Sequence, residues 1–372
     1  IMERAGIEML QPAAAAPLLR RELEAGSGGE VLLAGALGML SRPRDRDGGL
    51  DVEAANRALT VGSPAHVMLS RVTGLDLFRG IILEAELDPS SEPFLKDHAL
   101  NGIPVLPGVM GIEGFSVAAQ HVASVLGASS AGFQVSKLED IRFLAPFKFY
   151  RGEPRRITWH AQVVRVPGGL LADVSLQSTL ALKARPAEVV QHFTGRVHLR
   201  PLSAPETRPA RVEPPHWNGA YTLNREDVYK LYFHGPAFQV LDAVQRSGEY
   251  VLGRLRGDMP PTTSTGQPLI TAPLLIELCL QTAGIYEIGA TGELALPQAI
   301  GEVRIYPQPQ PAGDLYAQVT PGRDAENGLC FDARVTDGEG RLYLELKDYR
   351  TSPLPYPVAE ELRRPLQKLV EE

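Results

Sequence analysis

Residues 98–107 read HALNGIPVLP and set a histidine, a glycine and a proline at H-x-x-x-G-x-x-x-x-P spacing in front of an apolar run. Pro104 and Pro107 lack the N–H that a helix interior needs, and Gly102 admits backbone conformations closed to other residues. The segment therefore predicts a turn that presents His98 at a fixed place. Beyond Pro107 the run GVMGIEGFSVAAQHVASVL carries small and apolar residues at near-helical spacing. The unpaired amides of that helix's first turn then fall close to the imidazole. A base beside a helix N-terminus suits removal of a proton next to a carbonyl, because the amides can hold the enolate oxygen that develops.

Two further segments join this one in order: FHGPAFQVL at residues 233–241 and APLLIELCLQ at residues 272–281. Together the three resemble the dehydratase domains of modular and iterative polyketide synthases and of polyunsaturated fatty acid synthases. HALNGIPVLPG matches that family's first motif throughout. FHGPAFQ resembles its Y-G-P-x-F-Q element, and APLLIELCLQ resembles the H-P-x-L-L-D-x-x-x-Q helix that carries the catalytic acid. The resemblance covers roughly residues 65 to 355. It implies an α+β double hot-dog, with two antiparallel sheets each wrapped around a long central helix.

The pattern along the chain predicts the same organisation. A strand near RGIILEAEL precedes the His98 turn and the helix that starts near Val109. Strands follow at FQVSKLEDIRFLAPFKF, RRITWHAQVVRV, LLADVSLQSTLAL and VVQHFTGRVHL, punctuated by Gly and Pro. After the proline-rich stretch RPLSAPETRPARVEPPHWNGA the order begins again, with a short helix over 225–232, two strands, a long helix over 273–288 and four more strands. The predicted units are 1–56 (tail and linker), 57–200 (first hot-dog), 201–220 (linker), 221–356 (second hot-dog) and 357–372, a helical tail leaving the domain. Residues 41–56, SRPRDRDGGLDVEAAN, have the composition of a solvated linker. Residues 2–40 resemble the C-terminal end of a ketoreductase domain, which predicts a piece of a longer polypeptide. They carry no G-x-G-x-x-G fingerprint for a nicotinamide.

The 372 residues can bury a large core without disulfide staples, and two cysteines, Cys279 and Cys330, are too few for a secreted disulfide framework. A reducing cytoplasm is expected. A net charge of −7 argues against nucleic acid or an anionic membrane as partner, and no apolar run approaches the length of a membrane span.

The motifs select the site residues. His98 is read as the base. Glu277 stands four before Gln281, where the resemblance places the acid; the polyketide branch has aspartate there, whereas free-standing bacterial hydroxyacyl dehydratases have glutamate. Leucines around Glu277 predict a raised pKa and a retained proton. Gln281 is expected to orient the acid, and Gly108 to supply the amide that meets the thioester oxygen. His234, at a position where the family more commonly has tyrosine, is read as substrate-binding together with Pro107 and Phe238. Val105, Leu106 and Val109 are equally readable as tunnel lining or as core. Six other histidines, including His66, lack motif context and form no metal-binding spacing.

The resemblance implies elimination of water from a 3-hydroxyacyl thioester on the phosphopantetheine of an acyl carrier protein, with no metal or redox cofactor. It also implies neighbouring domains of the same megasynthase as partners, and it leaves a homodimer open. Alternatives are a hot-dog thioesterase or cyclase, or a silent scaffold domain. Lys148, Arg151, Arg155 and Arg156, clustered in FKFYRGEPRR, are expected either to form an ordinary solvated hairpin or to meet the acidic carrier.

Overall fold

A computed structural model describes residues 10–26, 31, 33, 35, 50–61, 66–76, 79–126, 132–180, 188–204, 211–220, 223–306, 313–323 and 328–371. In the first half the elements are α1 (Pro12–Ala25), α2 (Val52–Val61), β1 (Arg71–Asp76), β2 (Gly80–Leu87), α3 (Pro93–Lys96), β3 (Ala99–Leu100), β4 (Ile103–Pro104) and α4 (Gly108–Val125). Strands β5 (Phe133–Phe143), β6 (Arg155–Val166), β7 (Gly169–Leu180) and β8 (Glu188–Pro201) complete it. The second half holds β9 (Leu223–Asn224), α5 (Arg225–Val228), β10 (Leu241–Ser247), β11 (Tyr250–Leu255) and α6 (Pro273–Thr291). It closes with β12 (Glu293–Ile305), β13 (Leu315–Arg323), β14 (Leu329–Asp337), β15 (Leu342–Pro357) and α7 (Glu360–Glu371).

Helices α4 and α6 are apolar nearly all the way round, a pattern that belongs inside a core. Each is buried along most of its length. Close approach of the sheet depends on small residues. A Cβ on Gly114 of α4 would lie 2.2 Å from the Trp159 indole, so only glycine lets β6 pack there. The strands run antiparallel in the order β1-β2-β6-β7-β8-β5-β12-β15-β14-β13-β11-β10-β9. Each half curls around its own helix, and the halves join edge to edge where β5 pairs β12, with Ile141 opposite Ile300 and Leu138 opposite Val303. The double hot-dog is therefore one continuous sheet with two helices inside.

Buried carboxylates fasten the halves together. Glu113 of α4 is wholly buried, and its two oxygens accept from the amides of Ile270 (2.7 Å) and Thr271 (2.8 Å) and from the Thr271 hydroxyl (2.6 Å), just ahead of α6. His66 Nε2 lies 3.0 Å from the same carboxylate, so one of the histidines without a motif has a structural partner. Glu92 receives the amide and hydroxyl of Ser264 in the same manner, at 3.1 and 2.6 Å.

Three expectations are corrected. The linker expected over 41–56 does not reach its predicted end. Residues 52–61 are helix α2, with Ala55 buried and the Asn56 amide paired to both backbone groups of Val72 at 2.8 and 2.9 Å. Strand β1, which the pattern did not mark, adds an edge to the first half and bulges between Val72 and Gly74. The C-terminal helix does not leave the domain. Leu366 and Leu369 of α7 are buried against α6. Gly289 makes room for them, since a Cβ there would sit 2.7 Å from the Leu366 carbonyl oxygen. Residues 2–9, 27–30, 32, 34 and 36–40 of the ketoreductase-like stretch, residues 41–49 of the predicted linker and residues 205–210 of the second linker lie outside the described residues.

Burial pushes the Glu113 carboxyl up, but the His66 and Thr271 side chains and the two amides outweigh it and hold the pKa below its ordinary 4.5. A carboxyl depressed in the folded state stabilises above its unfolded pKa and loses that contribution as pH falls through the folded value. Glu113→Ala should therefore cost about 3 kcal/mol in urea unfolding at pH 7, with the m-value unchanged. The gap between wild type and Glu113→Gln should narrow as pH is lowered below 4.5. Equal stabilities at pH 7 would contradict the clamp.

Candidate active site

His98 sits at the base of a small hairpin. Asn101 (φ 51°) and Gly102 (φ 77°) form the turn between β3 and β4, and Asn-Gly is the pair that tolerates two consecutive positive φ values. Across it the Val105 amide donates to the His98 carbonyl at 2.9 Å, and His98 Nδ1 lies 2.8 Å from the Val105 carbonyl. A carbonyl only accepts, so Nδ1 carries the hydrogen and Nε2 keeps its lone pair. The ring is boxed by Phe233, His234 and Phe238, with centroids 5.1, 5.4 and 5.8 Å away. Burial, helped by the charge of His234 and opposed by that of Glu277, lowers the His98 pKa to about 4.

The second half brings its groups against this ring. Asp97 holds the FHGPAF loop in place. Its carbonyl accepts from the Gly235 amide at 2.7 Å, and its carboxylate accepts from the Ala237 amide at 2.8 Å. A Cβ at Gly235 would lie 2.5 Å from Asp97 Oδ1, which explains the glycine. His98 and His234 thus form a β-bridge between the halves. His234 Nε2 is 3.3 Å from Glu277 Oε1, and both side chains are buried. Gln281, one turn along α6, donates from Nε2 to the same Oε1 at 2.7 Å and to the Phe238 carbonyl at 2.8 Å. Its oxygen accepts from Tyr229 at 2.8 Å, and its own carbonyl accepts from Tyr232 at 2.7 Å.

One electrostatic expectation is overturned. Burial does push the Glu277 carboxyl up, but the hydrogen bond and charge of His234, the charge of His98 and the Gln281 amide outweigh it and lower the pKa below its ordinary value. Leucines precede Glu277 in the sequence, yet polar groups from another segment meet its carboxylate in space.

A cavity of about 260 Å³ contains His98, Gly108, His234, Glu277 and Gln281, with Val105 and Leu106 also on its wall. Gly108 is the first residue of α4, so its amide has no intrahelical acceptor. A Cβ there would meet Phe143 at 2.8 Å. Pro107 and Phe238, read from the sequence as substrate-binding, are not on the cavity wall. Pro107 caps α4 in an extended conformation, and Phe238 is buried against His98. Val109 is core as well. The sequence reading missed Asp97, Tyr229 and Tyr232. The YKLY spacing that puts the two tyrosines on one side of a turn was the available signal. Among the described residues no His/Cys/Asp/Glu cluster could hold a metal, and no helix is long and apolar enough to cross a membrane.

Comparison with known proteins agrees with this geometry. A family model described as polyketide synthase dehydratase N-terminal domain matches residues 202–361, and one described as polyketide synthase dehydratase domain matches residues 66–169. Mycoketide-CoA synthase of Mycobacterium tuberculosis is 28% identical over 246 residues, which is 65% of this chain. Pikromycin polyketide synthase component PikAII of Streptomyces venezuelae is 28% identical over 60% of it. The chain spans only 5% and 6% of those relatives' own length. Among solved structures, the dehydratase domain from the CurF module of curacin polyketide synthase superposes with a TM-score of 0.61 at 17% identity, covering 78% of this chain and all of that one. A trans-AT polyketide synthase dehydratase domain from Brevibacillus brevis gives 0.58 at 20% identity, with 78% and 98% covered. These two share the fold.

The low pKa of His98 is directly observable. In side-chain ¹⁵N NMR its imidazole should remain in the neutral, Nδ1-protonated form from pH 8 down to about 4. A midpoint near the ordinary 6.5 would show that the ring is not desolvated as described.

Proposed function

This chain belongs to the polyketide synthase dehydratase domains, and on that premise we propose that it removes water from a 3-hydroxyacyl thioester delivered on the phosphopantetheine of an acyl carrier protein. The observation that carries the reading is a histidine with a free Nε2 and a hydrogen-bonded His–Glu pair on the wall of one cavity. His98 Nε2 takes the C2 proton, and the C–H electrons become the C2–C3 double bond. The Gly108 amide and the positive end of α4 hold the charge that develops on the thioester oxygen. The C3–O bond breaks, and the departing oxygen receives a proton and leaves as water. Proton transfers alone balance the reaction, so the proposal calls for no metal or redox cofactor.

Glu277 is proposed as the group that hands over that proton, with His234 sharing it at rest. The lowered pKa of Glu277 favours its carboxylate, and the 3.3 Å contact with His234 Nε2 gives it a neighbour with which to exchange a proton. Gln281, held by Tyr229 and the Phe238 carbonyl, fixes the carboxylate rotamer.

The basic cluster is only partly available to a carrier. The Arg155 guanidinium donates to the Lys148 carbonyl and lies 4.2 Å over the Phe147 ring, while Arg156 is 3.6 Å from Glu84. Arg151 remains exposed. As a docking contact, Arg151→Glu should raise the apparent KM for carrier-bound substrate several-fold at low salt and leave the KM for the pantetheine thioester alone. An unchanged carrier KM would remove it from the interface.

Mass spectrometry of a 3-hydroxyacyl carrier protein incubated with the chain should show loss of one water, and release of free acid would indicate a thioesterase instead. His98→Ala should fold and lose on the order of a hundredfold or more in turnover. Glu277→Gln should lose comparably. His234→Phe should retain measurable turnover, because losing the imidazole removes the two largest influences that lower the Glu277 pKa and shifts the balance toward burial and the protonated form. An active Glu277→Gln beside a folded but dead His234→Phe would move the donor role to the imidazole.

A further inference from the structure

The cavity does not end at the reacting groups. It follows α6 past Leu280 and Gly284 to Glu287, ten residues beyond Glu277 and so about 15 Å along the helix axis. Between the two carboxyls the wall is largely apolar, with Leu294 and Leu296 of β12 facing the helix. Glu287 also borders a second, more polar groove that shares Phe143, Leu144 and Ala295 with the cavity wall. It is 6% exposed, and the Thr351 hydroxyl donates to its Oε1 at 2.6 Å. Its other oxygen, Oε2, is buried without a hydrogen-bond partner among the described residues. The elimination uses neither oxygen.

We propose that Glu287 is a specificity-determining residue that hydrogen-bonds an oxygen substituent, hydroxyl or keto, on the acyl chain well beyond C3. The inference rests on the dehydratase reading of the same cavity and names a class of substrate for it. A plain alkyl chain leaves Oε2 unpaired, whereas an oxygenated chain supplies its missing partner. Burial, with the Glu293 charge acting the same way and the Thr351 bond opposing, raises the Glu287 pKa. A carboxyl can accept from a hydroxyl in either form and donate to a carbonyl when protonated. The terminal torsion of glutamate is soft, so a ligand oxygen can reach the carboxyl without a backbone change. Discrimination of this kind comes from leaving a buried polar group unpaired when the wrong chain binds.

The test uses saturated acyl-pantetheine thioesters without a 3-hydroxyl, which cannot be dehydrated, so binding is read independently of turnover. Calorimetry compares a plain chain with chains carrying one hydroxyl or keto group moved stepwise along their length. Wild type should bind one position of the oxygenated series about tenfold more tightly than the plain chain. Glu287→Gln, which keeps an acceptor and a donor, should retain that preference, and Glu287→Leu should reverse it. Equal affinities throughout the series in wild type, or a preference that survives in Glu287→Leu, would overturn the proposal. So would a Glu287→Leu defect equal for plain and oxygenated pantetheine thioesters but absent with N-acetylcysteamine thioesters, because that pattern assigns Glu287 to the pantetheine arm. Failure of the dehydratase reading is separate: it appears as intact 3-hydroxyacyl carrier protein in the turnover assay.

Discussion

Asp97 and Glu113 reach from the first half of the chain to backbone amides of the second, and the site depends on those contacts. Asp97 fixes the loop that carries His234, while Glu113 fixes the two residues that lead into α6 and so the height of Glu277. Neither contact is a surface ion pair of small effect. Each is a carboxylate accepting backbone N–H groups, a bond about twice as strong as its neutral counterpart. The partners are backbone amides, so no rotamer change in the second half can release them, and the spacing of His98 from His234 and Glu277 is set by the backbone of that half. The proposed proton abstraction on one half and donation on the other would require that rigidity.

His98, the proposed base, shows how position becomes chemistry. His98 is left with one hydrogen-bonded nitrogen, because the hairpin places the Val105 carbonyl at Nδ1. Phe233 and Phe238 pack around the ring, and the neighbouring His234 disfavours a second charge on it. The resulting drop to about 4 makes His98 a weak base, but one that stays neutral above that pH. For the proposed reaction weak basicity is tolerable, because the helix terminus lowers the cost of the enolate that forms.

The sequence made the local devices legible and concealed the tertiary ones. Two prolines, Gly102 and a helix start sufficed to read the His98 turn, because each acts within a few residues. The four-residue step from Glu277 to Gln281 gave the orienting contact by helix geometry alone. By contrast, the charge state of Glu277 turns on His234, which lies 43 residues earlier and meets it only after both halves fold. Glu113 looked like one polar residue in an apolar helix, and its bonds to amides 157 and 158 residues away have no local signature. The docking of α7 was hidden for the same reason, since the groove that receives it is made by the absence of a side chain at Gly289.

Helix α6 carries Glu277 and Glu287 along one cavity, and the two carboxyls are driven in opposite directions. Desolvation raises both. Around Glu277 an imidazole, a second histidine and an amide reverse that tendency, whereas around Glu287 a single hydroxyl opposes it and a neighbouring carboxylate reinforces it. The difference therefore arises from the strands and loops that face each turn of the helix, not from the helix or the residue type. One cavity thus holds a carboxyl pushed toward its charged form at one end and one pushed toward its neutral form at the other. In the proposed reading an elongated substrate is reacted upon at the first and recognised at the second, with the apolar wall between them setting the distance.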